Sequence, residues 1–245
     1  MKPVLPVSNI ECLTFDYREI RFRDMPRPTL SEGEIYHIYN RGVEKRMIFV
    51  DDHDRWRFIT LLLLLQGESD TDKISRLVFL VQHRMLDKDV FKKVLNNRHI
   101  ELIGFCLMPN HFHLILREIQ EGGISKFMQR LLNAYTKYFN IRHRRSGHLF
   151  GGRFQAAHVD TNEYFLYLSA YLHLNSRELK GWRGREASYT WSSFQDFVAQ
   201  NRWGNFLKPE IILEQFDSGK EYKKFVVETP IKTMQNNLDE DLLFD

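Results

Sequence analysis

Cysteine is scarce in this chain, and the scarcity limits what kind of protein it is. Only Cys12 and Cys106 occur among 245 residues, too few for a disulfide framework or a four-cysteine zinc site. The sequence therefore predicts a protein of the reducing cytoplasm. With 13 glycines, 7 prolines and 43% hydrophobic residues, it is neither collagenous nor a disordered low-complexity chain.

Long hydrophobic runs are also missing. Apolar runs such as residues 61–65 are far shorter than the roughly 20 residues that a membrane helix needs. Residues 1–6 lack the extended apolar core of a secretory signal. We therefore expect no membrane partner, and the chain length predicts either one large domain or one domain with a smaller appendage.

Acidic residues are absent from one long segment. Residues 126–153 hold none, but they hold seven basic residues. Residues 210–245 have nine acidic residues against four lysines, a net charge of −5, although the whole chain carries +3. A block of positive charge is typical of a phosphate-binding surface. On charge alone, an ordinary solvated helix face explains it equally well.

Hydrophobic periodicity predicts the order of strands and helices. Strands are predicted at 35–40, 99–108, 111–116 and 154–159. Helices are predicted at 55–66, at 125–142 and from Asp160 or Thr161 to about 174, with one or two more in an insert at 67–98. This order is typical of an α+β protein whose antiparallel sheet has helices mainly on one face.

The same pattern divides the chain into segments. Residues 1–30 are predicted to be an N-terminal extension, and residues 31–178 hold the sheet and its helices. Residues 179–230, rich in aromatic side chains, are predicted to be a small, mostly helical appendage. Residues 231–245 read as a frayed acidic tail.

The sharpest local pattern is His111-Phe112-His113 in the second strand of the predicted hairpin. Residues i and i+2 of a strand point to the same face, so the two imidazoles lie side by side and Phe112 points to the packed face. Such a pair forms half of a site for a divalent metal ion. Two histidines without a ligand are the simpler alternative, although unpaired polar groups in a central strand are costly.

Tyrosines recur along the last predicted helix, at positions 164, 167 and 171. Tyr171 and Asn175 are i, i+4 neighbours on one helix face. A tyrosine hydroxyl on a nearly apolar helix needs a polar partner. From the residues alone, Tyr164 and Tyr167 are best explained as packing residues, and a functional role for Tyr171 needs further support.

Four segments in a fixed order supply that support: YHIYNRG at 36–42, MPNHFH at 108–113, SGHLFGGRF at 146–154 and YLHLN at 171–175. Together they resemble the REP-associated tyrosine transposases, relatives of the single-tyrosine HUH transposases of small insertion sequences. The resemblance covers roughly residues 33–178. It implies the ferredoxin-like fold of HUH nucleases and a single-stranded DNA endonuclease and strand transferase that acts in DNA transposition and recombination on hairpin-forming repeats.

The resemblance also implies roles for individual residues. His111 and His113 would bind Mg²⁺ or Mn²⁺, with Asn175 as third ligand, and Zn²⁺ is not excluded by these donors. Tyr171 would attack a phosphodiester of single-stranded or hairpin DNA, giving a 5′-phosphotyrosine and a free 3′-hydroxyl. We expect backbone phosphates to be held by basic residues of the central block, namely Lys126, Arg130, Arg142, Arg144, Arg145, His148 and Arg153.

Two other functions stay open at this point. One is a domesticated DNA-binding protein that keeps the fold but does not cut. The other is a metal phosphodiesterase that uses water and forms no covalent intermediate. The presence of both histidines, the tyrosine and the asparagine favours the transposase, as either a monomer or a homodimer.

Overall fold

A four-stranded antiparallel sheet forms the centre of the protein, whose computed structural model describes residues 28–67, 74–83 and 88–230. The strands are β1 (Ile35–Arg41), β2 (Ile100–Met108), β3 (His111–Glu118) and β4 (Gln155–His158). Their spatial order is β2-β3-β1-β4, the order of a ferredoxin-like βαββαβ unit. The predicted α+β class and antiparallel sheet are thereby confirmed. The predicted acidic tail, and the predicted extension as far as residue 27, lie outside the described residues.

The central strands are covered on both faces. Every residue of β2 is buried, and so are all but one in β3, which is why these strands read as apolar runs rather than as an alternation. Pro109 and Asn110 form the tight turn between them. Over the described part of the chain, no helix is both long enough and apolar enough to cross a membrane.

Helices pack on each face of the sheet. The helices are α1 (Asp52–Leu64), α2 (Ile74–Gln82), α3 (Lys88–Asn96), α4 (Gly123–Arg142) and α5 (Asn162–Leu174). On one face, Phe58 of α1 packs against Phe112 of β3 and Tyr135 of α4, with ring centroids 5.1 and 5.0 Å apart. On the other face lies α5. Its N-cap residue is Thr161, whose side chain accepts a hydrogen bond from the backbone N–H of Tyr164. Its residues 164–174 are all buried.

The chain after α5 covers the edge of the sheet that is formed by β2. It holds α6 (Phe194–Val198), α7 (Glu210–Leu213) and α8 (Gly219–Glu228). Backbone hydrogen bonds of 2.9 Å join Ser193 to Phe105 and Lys208 to Leu102. This segment therefore covers the exposed edge of β2, which would otherwise offer unpaired backbone groups to other chains.

Candidate active site

The two strand histidines lie at the end of the sheet where β1 ends and β3 begins. In the strand register His111 faces Arg41 and His113 faces Tyr39. The two imidazole centroids are 5.0 Å apart, and Phe112 points to the opposite face, as the strand alternation predicts. His113 is fully buried and His111 is 8% exposed.

Helix α5 brings the other two predicted residues to the same place. The Tyr171 ring meets the His113 ring edge-on, with centroids 5.4 Å apart and planes at 84°. Asn175 ends α5, where the chain continues as a short 3₁₀ helix. Its Oδ1 lies 3.3 Å from Nε2 of His111. The structure thus places His111, His113, Tyr171 and Asn175 around one point.

The tautomer of His111 is set by its neighbour in the turn. The amide nitrogen of Asn110 donates to the carbonyl of Lys45 at 3.3 Å, which turns Oδ1 of Asn110 towards His111. Nδ1 of His111 donates to that oxygen at 2.7 Å. Because a neutral imidazole carries one N–H, Nε2 of His111 is then a bare acceptor that faces the oxygen of Asn175.

A third histidine, which the sequence analysis gave no role, completes the cluster. His37 on β1 is fully buried, and its Nε2 lies 2.9 Å from Nδ1 of His113. Nε2 of His113 is also buried and has no hydrogen-bond partner among the described residues. His37 could be found only by knowing the register of β1 against β3, because 76 residues separate it from His113.

Burial keeps these imidazoles neutral. It lowers the pKa of His111 to about 4 and that of His37 to about 3. It also lowers the pKa of His113 well below the ordinary value, and the charge of Arg41 and the repulsion expected from a protonated His111 or His37 act in the same direction. At neutral pH each ring therefore has a free lone pair, which is the form that binds a metal ion.

The donor set fits a divalent cation. Two ligands at right angles around an ion about 2.1 Å from each are about 3 Å apart, close to the 3.3 Å between His111 Nε2 and Asn175 Oδ1. The partnerless Nε2 of His113 supplies a third donor. Within the described ranges no group of three His, Cys, Asp or Glu side chains is arranged to hold a metal ion, so a metal site here would depend on the amide oxygen of Asn175 as well as on the two imidazoles.

A pocket of about 330 Å³ opens beside His111. Arg41 and Lys45 line it together with Asn110 and one acidic residue, Glu178. Tyr171 is not part of its wall and is only 4% exposed. The pocket thus gives access to the histidine side of the cluster, whereas the phenol is covered.

The predicted DNA-contacting residues do not form one surface. Lys126 lies in the first turn of α4, next to Gly123, which packs on the backbone of His99 at the far end of β2. Arg130 donates to the carbonyl of Gly67. An α-helix rises about 1.5 Å per residue, so Lys126 lies roughly 24 Å along α4 from Arg142. The continuous run of positive charge in the sequence therefore does not form one continuous surface in the structure.

Arg142 also differs from the expectation that it binds DNA phosphates, because its guanidinium is already paired with carboxylates. Its guanidinium donates to Asp54 at 2.6 Å and to Asp51 at 2.7 and 2.8 Å. Asp54 is fully buried, and the hydrogen bond from Arg142 strongly lowers the pKa of Asp51. Arg142 therefore ties α4 to the start of α1, and this pairing counts against a phosphate-binding role.

The other four basic residues lie on a loop next to the end of β1. Arg144, Arg145, His148 and Arg153 belong to the loop of residues 143–153, which we call the basic loop. It is joined to the end of β1 by backbone hydrogen bonds from Val43 to Leu149 and from Gly151 to Arg41, of 3.0 and 2.9 Å. The aromatic side chains Phe150 and Phe154 are buried and pack in the core, so they do not offer stacking faces for DNA bases.

Matched substitutions of Arg142 and Arg144 distinguish an arginine that stabilises the fold from an arginine that binds DNA. We expect Arg142→Ala to lower the free energy of unfolding by about 1–3 kcal/mol, because the buried Asp54 loses a charged donor. Arg144→Ala, two residues further and exposed, should leave stability unchanged, weaken binding of single-stranded DNA, and reduce the slope of log affinity against log salt by about 0.7. Urea unfolding and fluorescence anisotropy at several salt concentrations measure both quantities. The opposite pattern would reverse these assignments.

The comparison with protein families agrees with the sequence resemblance. Residues 73–175 match the family model described as IS200-like transposase, a range that includes the two strand histidines, Tyr171 and Asn175. A solved structure of a REP-associated tyrosine transposase bound to a REP hairpin aligns with 72% of this chain and 86% of that chain, at 13% identity and a TM-score of 0.46. No curated protein matches the chain in sequence.

Proposed function

Because residues 73–175 match the IS200-like transposases, the chain is transposase-like, and we propose that it nicks and rejoins single-stranded DNA through Tyr171 with the help of a divalent metal ion. The observation that supports this most is the convergence of a helix-borne phenol and two strand-borne imidazoles. Tyr171 packs edge-on against His113 at 5.4 Å between ring centroids. Asn175 reaches His111 from the end of the same helix.

In the proposed reaction, Oη of Tyr171 attacks the phosphorus of one phosphodiester in the strand. A bond forms between Oη and phosphorus, and the bond from phosphorus to the 3′ oxygen breaks. The phenol gives up its proton, and the 3′ oxygen takes one to become a hydroxyl. One phosphodiester replaces another, so the reverse attack by a 3′-hydroxyl rejoins a strand without ATP.

The phenol alone is not a strong enough nucleophile. A free tyrosine has a pKa of about 10, so little phenolate exists at neutral pH. Mg²⁺ or Mn²⁺ held by His111, His113 and Asn175 would neutralise charge on the scissile phosphate and help the 3′ oxygen to leave. The side chains of Arg41 and Lys45, which line the pocket beside His111, are suited to hold the phosphate backbone next to that ion.

The burial of Tyr171 sets one requirement. Because the Tyr171 side chain is only 4% exposed, a DNA phosphate can reach its hydroxyl only if α5, or the part of the chain that covers the Tyr171 ring, is displaced. The basic loop is anchored to β1 by the hydrogen bonds from Val43 and Gly151. It therefore stays next to the pocket during such a displacement and keeps the bound strand in place.

Formation of a covalent adduct tests the proposal. We expect the full chain with Mn²⁺ and a hairpin-bearing single-stranded oligonucleotide to give a protein–DNA species that survives denaturing electrophoresis. The same mixture with EDTA is the control and should give none. Binding without cleavage in Mn²⁺ would instead identify a non-cutting DNA-binding protein, and cleavage without an adduct would identify a phosphodiesterase that uses water.

A further inference from the structure

We propose that His37 is a positioning residue: it accepts the Nδ1–H of His113 and so leaves Nε2 of His113 as a bare lone pair in the cluster with Tyr171 and His111. This inference rests on the proposed function, since the direction of the hydrogen bond matters only if His113 binds a metal ion. The geometry that supports it is the 2.9 Å separation between Nε2 of His37 and Nδ1 of His113.

The hydrogen bond between the two rings can run in either direction. Each direction leaves one buried N–H without an acceptor among the described residues, on Nε2 of His113 if His37 donates and on Nδ1 of His37 if His113 donates, so hydrogen-bond satisfaction alone does not choose between them. A protonated Nε2 of His113 cannot bind a cation. If His113 donates, its Nε2 is a bare lone pair. Only this second direction makes His113 a metal ligand.

Neighbouring rings hold His37 in place for this task. Its ring stacks on Tyr39 with centroids 4.8 Å apart and meets the Tyr171 ring edge-on at 6.3 Å. The His37 and His113 rings are themselves nearly parallel, at 20°. With Asn110 setting the tautomer of His111, each strand imidazole has its own acceptor behind it, in the manner of the partners that orient metal-binding histidines elsewhere.

Metal affinity of three variants tests the proposal. We expect His37→Phe, which keeps the ring and loses both nitrogens, to weaken Mn²⁺ binding by about 10–100-fold. His37→Gln places an amide oxygen close to the position of Nε2 and should restore affinity to within about fivefold of wild type. His99→Phe is the matched control, because it removes another largely buried histidine. His99 lies just before β2, about 26 Å along that strand from the His111–His113 pair, so the substitution should leave Mn²⁺ affinity unchanged. Calorimetric titration with Mn²⁺ alone measures all four proteins.

The tautomer itself gives a second, independent measurement on the unaltered protein. In metal-free chain labelled with ¹⁵N-histidine, long-range ¹H–¹⁵N correlations should show the proton of His113 on Nδ1 and a bare Nε2. A proton on Nε2, or equal Mn²⁺ affinity of His37→Phe and wild type, would overturn the proposal. If wild type bound no Mn²⁺ at all, the proposed function would fail, while the tautomer measurement would still decide the direction of the hydrogen bond.

Discussion

Tyr171→Phe is expected to abolish the covalent DNA adduct while leaving the fold and DNA binding intact. The substitution removes only the hydroxyl, and the edge-on packing of the ring against His113 is kept. Loss of a covalent nucleophile costs several orders of magnitude in other enzymes, so we expect a fall of more than about 10⁴-fold. Quantitative denaturing electrophoresis with a labelled oligonucleotide measures it.

The control for this prediction lies two turns earlier on the same helix. Tyr164 is also buried, and its hydroxyl has no hydrogen-bond partner among the described residues. Tyr164→Phe should therefore form the adduct at the wild-type rate. An adduct that persists in Tyr171→Phe would place the nucleophile elsewhere. Continued cleavage without an adduct would support attack by water.

His111→Ala is expected to have the second largest effect, a loss of about 10²–10⁴-fold in adduct formation with DNA affinity retained. The side chain borders the pocket rather than filling the core, so its removal takes away one proposed ligand and leaves the packing of α5 on the sheet in place. Removal of one electrostatic stabiliser of a transition state typically costs about 10²–10³-fold, and loss of the ion itself costs more.

His158 provides the control for His111→Ala, because it is a histidine on the same sheet. His158 on β4 is exposed and pairs with Glu34 at 2.7 Å, so His158→Ala should behave as wild type in adduct formation. Anisotropy measurements with the hairpin oligonucleotide show whether DNA binding is retained. Equal adduct yield from His111→Ala and wild type, with the same dependence on Mn²⁺ concentration, would contradict the metal role.

The sequence was sufficient for the parts of the site that depend on local periodicity. Strand alternation places His111 and His113 on one face, and helical spacing places Asn175 one turn after Tyr171. Both patterns span fewer than six residues, so neighbouring backbone geometry alone determines them. The family resemblance then related the strand to the helix, and the structure places the four side chains together.

The features that the sequence did not show depend on contacts between distant segments. His37 reaches His113 only through the pairing of β1 with β3. The basic block looked continuous in sequence, but α4 spreads it along the molecule, and the buried Asp54 of α1 pairs with Arg142. Charge density along a chain therefore predicted a phosphate-binding surface over too long a stretch. Within this block, only the basic loop is joined to the strand end that faces His111.

Pulsed electron paramagnetic resonance of bound Mn²⁺ tests most directly whether His111, His113 and Asn175 hold one cation next to the phenol of Tyr171. In protein labelled with ¹⁵N-histidine and ring-deuterated tyrosine, the account predicts two directly coordinated imidazole nitrogens, one of which disappears in His111→Ala. It also predicts a deuteron coupling from a nearby tyrosine ring that is lost when Tyr171 is replaced. Mn²⁺ that binds with no coordinated histidine nitrogen, or far from any tyrosine ring, would contradict the account.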